Sequence, residues 1–273
     1  MRSDALVLVA ASLLRVPSRR LRALALGDEG ALRDWLANES ATRLAEARRD
    51  ARLAAAHMLA AGARVVSIAD PDYPGGLKAL RDAPPFLIAR GETPRTPWPE
   101  GVAIVGSRDA EPEAAAFARA LAGRVGLTVV SGLALGIDAA AHEGALAAGT
   151  RTVAYVANGI GATYPPEHRD LEERIVAGGG TVASERLPGE PAMPWALVKR
   201  DRLQAAHAAA VVLIQSRLDG GAMHTLRFAR ELGRPVFALA PRDGEAYAGN
   251  VRALGAGARE LPWNPDEAAS LLR

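Results

Sequence analysis

Cysteine is absent from this 273-residue chain, which excludes disulfides, thiolate metal sites and cysteine nucleophiles. Lysine is almost absent too: Lys78 and Lys199 are the only two, so arginine carries the positive charge. Arginine's planar fork suits bidentate contact with phosphate. Aromatic residues make up 4% of a chain that is 49% hydrophobic, so its core must be built from Ala, Val and Leu. The formal net charge of +2 is too close to balance to name a nucleic-acid partner by itself. No apolar run reaches the roughly 18 residues of a membrane span. The run from Ala5 to Leu14 sits between Asp4 and the arginines Arg15, Arg19 and Arg20, with no small-residue cleavage site after it. It reads as a first buried helix rather than a signal peptide, and the expected location is cytoplasmic, away from any membrane.

Three regions follow from patterning. Residues 1–64 read as helices only, at 5–14, 19–25, 31–36 and 42–61, parted by Pro17, Gly27 and Asn38. This small all-helical domain carries 11 arginines against 7 acidic residues, a net charge of +4. Residues 65–100 read as an extended lead-in or linker. A short strand at 65–68 is broken by Asp70-Pro71-Asp72-Tyr73-Pro74, an extended piece follows at 83–88, and three prolines stiffen 93–99. From 101 to 273 the pattern alternates. Strands are expected at 102–105, 128–130, 152–156, 181–184, 210–214 and 235–240. Helices are expected at 111–123, 138–148, 167–177, 195–206 and 223–232. Nearly all-apolar strands separated by helices predict an α/β fold, a mainly parallel sheet covered on both faces. In such sheets ligands bind beyond the carboxyl ends of the strands.

The loops at those ends hold the candidate chemistry. Gly106-Ser107-Arg108 combines a tight turn, a hydroxyl and a guanidinium at the end of a buried strand. Ser131-Gly132 opens a second small-residue loop that runs into a helix. Gly220-Gly221 forms a third such turn. Loops of this kind present backbone N–H groups and a helix-dipole end to an anion. Asp138 is expected to cap its helix, and His142, four residues on, to make a structural contact with it. No third ligand stands at a spacing that would complete a metal site. Glu185, after the strand at 181–184, could orient a ribose or a basic side chain. Lys199, Arg200 and Arg202 form a basic knot on one helix, interrupted by Asp201. The dinucleotide fingerprint, the P-loop, the nucleophile elbow and zinc-ligand spacings are all absent. The expectation is a binding protein without catalytic residues, metal or cofactor.

Taken in order, these residues resemble the DprA/Smf family of DNA-processing proteins. The likeness runs from about Asp70 to Ala258. It is carried by Tyr73-Pro74-x-x-Leu77 with Pro84-Pro85 and Gly91, by Val102-Ala103-Ile104-Val105-Gly106-Ser107-Arg108, and by Ser131-Gly132-Leu133-Ala134 with Gly136-Ile137-Asp138 and Ala141-His142. Tyr164-Pro165, Ser184-Glu185 and Val236-Phe237-Ala238 with Pro241 extend it. The resemblance implies an extended Rossmann-like domain behind a small helical domain. It also implies sequence-independent binding of single-stranded DNA, homodimerisation, and loading of the RecA recombinase during natural transformation or recombination. Carried over by motif, Gly106, Ser107 and Arg108 would floor the DNA pocket with Ser131 and Gly132 alongside, and Arg200-Asp201-Arg202 would stand for an Arg-Asn-Arg signature. The chain departs from the family pattern in three places. Leu135 stands for the usual Arg, Asp201 for Asn, and Asp219-Gly220-Gly221-Ala222-Met223-His224-Thr225 for Ser-Gly-Ser-x-x-Thr-Ala. The end at Arg273 implies a divergent member without the C-terminal winged-helix domain of many relatives. The runner-up reading is a nucleotide sensor or an enzyme like the phosphoribohydrolases, whose Pro-Gly-Gly-x-Gly-Thr-x-x-Glu signature is incomplete at Gly220-Gly221. A third is a pure interaction module.

Overall fold

Strand residues that are Ala, Val or Ile on both faces can only be satisfied by cover on both sides, and the chain provides it. The computed structural model describes residues 3–92 and 101–273; the proline-rich stretch 93–99 lies outside the described residues. Four helices come first: α1 (Ser3–Leu13), α2 (Ser18–Ala25), α3 (Arg33–Ala37) and α4 (Ala41–Ala60). Ser40 caps α4, its Oγ accepting from the Arg43 amide at 3.2 Å. Strands β1 (Ala63–Ser67) and β2 (Phe86–Gly91) follow. The alternating part runs β3 (Val102–Val105), α5 (Pro112–Ala122), β4 (Val129–Ser131), α6 (Ile137–Ala147), β5 (Thr152–Tyr155), α7 (Arg169–Ala177), β6 (Thr181–Ser184), α8 (Pro194–His207), β7 (Ala210–Leu213), α9 (Ala222–Glu231), β8 (Val236–Leu239), α10 (Ala248–Gly255), β9 (Arg259–Leu261) and α11 (Pro265–Leu271).

All nine described strands join one sheet in the order β1-β2-β6-β5-β4-β3-β7-β8-β9. From β6 to β9 every pairing is parallel. The lead-in contributes β1 and β2, which pair antiparallel with each other and with β6, Ile88 lying opposite Ser184. Between them, Tyr73, Leu77, Leu80 and Ala83 are buried against Leu203 and Ala206 of α8. The Tyr73 hydroxyl donates to the Pro84 carbonyl at 2.8 Å, so the family-like Tyr73 and Leu77 dock this segment on α8 and leave no part in ligand contact. One sheet face is covered by α5, α6 and α11 around Phe117, Leu121 and Ile137, and the other by α8, α9 and α10 around Leu203, Leu226 and Ala253. The helical region has a small core of its own, including Leu14, Val16 and Leu21. It also shares one with the sheet: Leu8, Val9 and Met58 pack with Phe86, Ile88 and Val182.

The strand order places a topological switch between β3 and β7. From β3 the chain moves outward through β4, β5 and β6, and from β7 it moves the other way through β8 and β9. The loops after β3 and β7 therefore part from each other and leave a crevice at their carboxyl ends.

Candidate nucleic-acid interface

The crevice is a cavity of about 420 Å³, lined from β3 by Gly106, Ser107, Arg108 and Asp109 and from β7 by Ser216, Arg217, Gly220 and Gly221. The β3 loop is clamped in place. The Ser107 amide donates to the Gln215 carbonyl at 2.7 Å, and the Ser107 carbonyl accepts from the Ile137 amide at 3.1 Å. The buried Gln215 also accepts the Glu111 amide through Oε1 at 2.9 Å. Position 106 must be glycine, because a Cβ would stand 2.6 Å from the Ile137 side chain and 2.9 Å from the Gln215 carbonyl. Held on both sides, the loop presents Arg108 at an exposed tip. Across the cavity Gly221 precedes α9 with no side chain capping the helix. The Met223 and His224 amides donate to the Gly220 and Gly221 carbonyls at 3.0 Å, which leaves the Gly221 and Ala222 amides to face an anion.

The second loop does not meet the expectation. Ser131 is fully buried, its Oγ donating to the Ile104 carbonyl at 2.7 Å. The Gly132 and Ala134 amides donate to Asp138 Oδ2 at 3.1 and 3.4 Å, and the Leu133 amide to His142 Nε2 at 3.3 Å. Ser131 therefore does not face a ligand, and a carboxylate of the chain itself occupies the anion position that the Gly132 and Ala134 amides create, although Gly132 lines a smaller concavity beside the cavity. Asp138 caps this loop rather than its helix. His142 braces the same loop, its Nδ1 2.7 Å from Thr152 Oγ1. Burial lowers the His142 pKa to about 3, with further lowering from His168 and Arg200, so it works as a neutral acceptor. Burial likewise raises the Asp138 pKa, opposed by Arg200 and by the loop amides.

The basic knot on α8 divides. Arg200 is 4% exposed and lines the cavity. Its Nη1 donates to the Gly132 carbonyl at 2.6 Å and to the Tyr155 carbonyl, and its Nε to Asp201 at 3.1 Å. A Cβ at residue 132 would collide with this guanidinium, which is why the loop needs glycine there. Asp201 is pushed up to about 7 by burial, with Arg200 pulling it down, the Asp138 charge raising it again and Arg108 lowering it. Arg202 is 3% exposed and points away from the cavity. It donates to Asp82 at 2.9 Å and to Glu185 at 2.8 and 3.1 Å. Lys199 Nζ lies 3.5 Å from Glu185. The expectation that Arg202 contacts a ligand is thus corrected: buried Arg202 is held by Glu185 and by Asp82, which ties α8 to the lead-in, whereas the Lys199 side chain stays 45% exposed beside Glu185. That these partners are Asp82 and Glu185, far away in the chain, could not be read from spacing.

The cavity is charge-balanced rather than basic. Arg108, Arg200 and Arg217 face Asp109, Asp138 and Asp201. Arg217 was not singled out in the sequence, although a cation three residues before Gly220 is a usable signal. It sits 3.7 Å from Asp219 and 3.4 Å from Glu245. A smaller concavity opens beside the first, between Arg108, Leu135, Leu197 and Tyr164, with Tyr164 42% exposed.

Comparison with known proteins agrees with this architecture. The profile of the family described as DNA recombination-mediator protein A matches residues 64–272. DNA processing protein DprA of Streptococcus pneumoniae is 35% identical over 175 residues, 63% of this chain and 61% of that protein. A putative DprA of Mycobacterium tuberculosis is 41% identical over 174 residues, 62% of this chain and 44% of that protein. The matched stretches thus cover less than two thirds of these relatives' own length. The solved structure of S. pneumoniae DprA superposes with a TM-score of 0.73 at 25% identity, covering 99% of this chain and 94% of that one. That of Helicobacter pylori DprA, studied for its unique single-stranded DNA binding mode, superposes with a TM-score of 0.68 at 26% identity, covering 77% and 95%. The family profile spans most of the chain and the fold superposes on a solved member, and the chain belongs to the DNA recombination-mediator protein A (DprA/Smf) family.

Proposed function

We propose that this protein binds single-stranded DNA without sequence preference, holding a phosphate of the backbone at the β3–β7 rim. One observation carries the reading. Among the cations lining the cavity, Arg200 is paired with Asp201 and Arg217 with Asp219 and Glu245. Of these three arginines Arg108 is the one with no carboxylate of the described residues within ion-pair distance, and it stands exposed beside the start of α9. A phosphate there meets a free guanidinium and helix-end amides together. The exposed Tyr164 next to Arg108 offers one face for a base, which is sequence-tolerant contact. Asp138 and Asp201 are committed to loop amides and to Arg200, which favours binding over catalysis. Family membership supports the remaining steps: the protein acts as a homodimer and delivers the strand to RecA in recombination or natural transformation. A nucleotide sensor is the second reading, favoured by the small, charge-balanced cavity.

Fluorescence anisotropy with labelled oligonucleotides tests the proposal. Arg108→Ala is expected to weaken binding several-fold near 0.1 M salt and to reduce the log–log salt slope by about 0.7, with an unchanged thermal melt. Equal affinity of variant and wild type across the titration would remove Arg108 from the site. Displacement of the oligonucleotide by micromolar nucleoside monophosphate would favour the sensor. Co-elution of RecA with the protein on DNA, and the mass of the free protein in solution, test the partner and the dimer.

A further inference from the structure

The rim cavity carries as many acids as arginines, and residues 65–273 as a whole are net −2 while residues 1–64 are net +4. A polyanion drawn only to the sheet would meet no excess positive charge, so the excess on the helical region needs an explanation. Much of it stands on one face of α4. At 100° per residue, Ala45, Arg48, Arg49, Arg52 and Ala56 project together, while Ala47, Ala51, Ala54 and Met58 are buried on the opposite side. Arg48, Arg49 and Arg52 are exposed around a shallow concavity with Ala45 and Leu53. Arg49 touches Asp50 at 3.3 Å in a solvent-exposed pair, which neutralises little. Among the described residues neither Arg48 nor Arg52 has a carboxylate within ion-pair distance.

Topology brings this part of α4 to the level of the rim. Strand β1 is antiparallel to β2, which is antiparallel to β6, so β1 runs parallel to β6 and ends on the rim side. The chain reverses at Ala61-Gly62, where Gly62 has φ +64, and α4 lies back along β1. Ala55, Ala56, Met58 and Leu59 line one groove together with Ala63 and Val65 of β1. Arg48 is 12 residues from the end of α4, about 18 Å at the helical rise, against about 16 Å for the five residues of β1. The arginine face therefore stands level with the carboxyl ends of the strands. From β3 to β1 are five strand spacings, about 24 Å.

We infer that the Arg48–Arg49–Arg52 face of α4 is a second phosphate-backbone contact for the strand held at the rim, engaged only by single strands long enough to reach it. This rests on the reading of the ligand as single-stranded DNA. The test compares anisotropy titrations in salt with oligonucleotides of about 6 and about 30 nucleotides, a range that brackets the site sizes of single-strand binders. Three lost contacts should lower the log–log salt slope of R48A/R49A/R52A by about 2 on the long strand and leave the short strand unchanged. R48K/R49K/R52K should keep the wild-type slope, because charge rather than fork geometry drives counterion release. R108A should weaken both lengths. An alanine triple with the wild-type slope on the long strand overturns the second contact while leaving the rim reading intact. So does an equal loss on both lengths. Failure of wild type to bind either length would instead overturn the reading on which it rests.

Discussion

At Asp201, where the family resemblance implies an uncharged Asn, a buried carboxylate lines the cavity beside Arg200. Its pKa is raised to about 7 by burial. The groups facing it are Arg200, Arg108 and Asp138. Below pH 7 it takes a proton and the cavity loses a negative charge; above, it carries the full charge toward any bound phosphate. DNA affinity should therefore rise as the pH falls from 8 to 6. Asp201→Asn should bind about fivefold tighter at pH 8, from roughly 1 kcal/mol of relieved repulsion, and flatten that pH dependence. Stability carries the same sign. Between the unperturbed value of 3.8 and about 7 the folded state holds a proton that the unfolded state has released, so stability falls as pH rises through that window. His207, lowered to about 4 by burial, acts oppositely below its usual value. Comparing melts of D201N and wild type at each pH cancels the histidine contribution. The advantage of the variant should grow from pH 4 to pH 7; a constant difference would count against a titrating Asp201.

Helix α8 shows how one element serves two tasks on adjacent residues. Arg200 turns to the second loop and the cavity, while Arg202 turns to Asp82 and Glu185 and fastens the lead-in. Removing Arg202 strands the largely buried Glu185, with only Lys199 left to it. Such losses cost about 3 kcal/mol. Arg202→Ala should lower the chemical-denaturation midpoint accordingly, while the folded protein keeps its salt slope for DNA. A changed slope with unchanged stability would return Arg202 to the interface. The second loop makes the same point about legibility. Small residues before a helix read as an anion-receptive turn, and the Gly132 and Ala134 amides do receive a carboxylate. That the anion is Asp138 depends on a side chain six residues away from Gly132, and loop composition is silent on it. Elements β9, α10 and α11 were not expected, because β9 has only three residues, two of them exposed, and carries too little pattern to register.

Across the whole molecule the helical region is not a free appendage. Leu8, Val9 and Met58 are almost fully buried in a cluster with β2 and β6. Burying three such side chains contributes about 5 kcal/mol, comparable to the net stability of a domain. Deleting residues 1–62 should therefore abolish the cooperative thermal transition or drive aggregation, seen by scanning calorimetry and size exclusion. A truncated protein melting like wild type would show that this shared core is dispensable.

Alternation of apolar strands with helices determined from the sequence alone that the sheet is mainly parallel and doubly covered. The residues Gly106, Arg108 and Gly220 marked the loops that meet at its edge, because backbone geometry and local polarity are short-range properties. Only the tertiary structure decided the strand order, the crevice between β3 and β7, and which arginines remain free. Arg200 and Arg202 resemble Arg108 in sequence, yet burial against Asp201 and the Gly132 carbonyl consumes the charge of the first and the distant Asp82 and Glu185 that of the second, since electrostatic partners are chosen by packing in space.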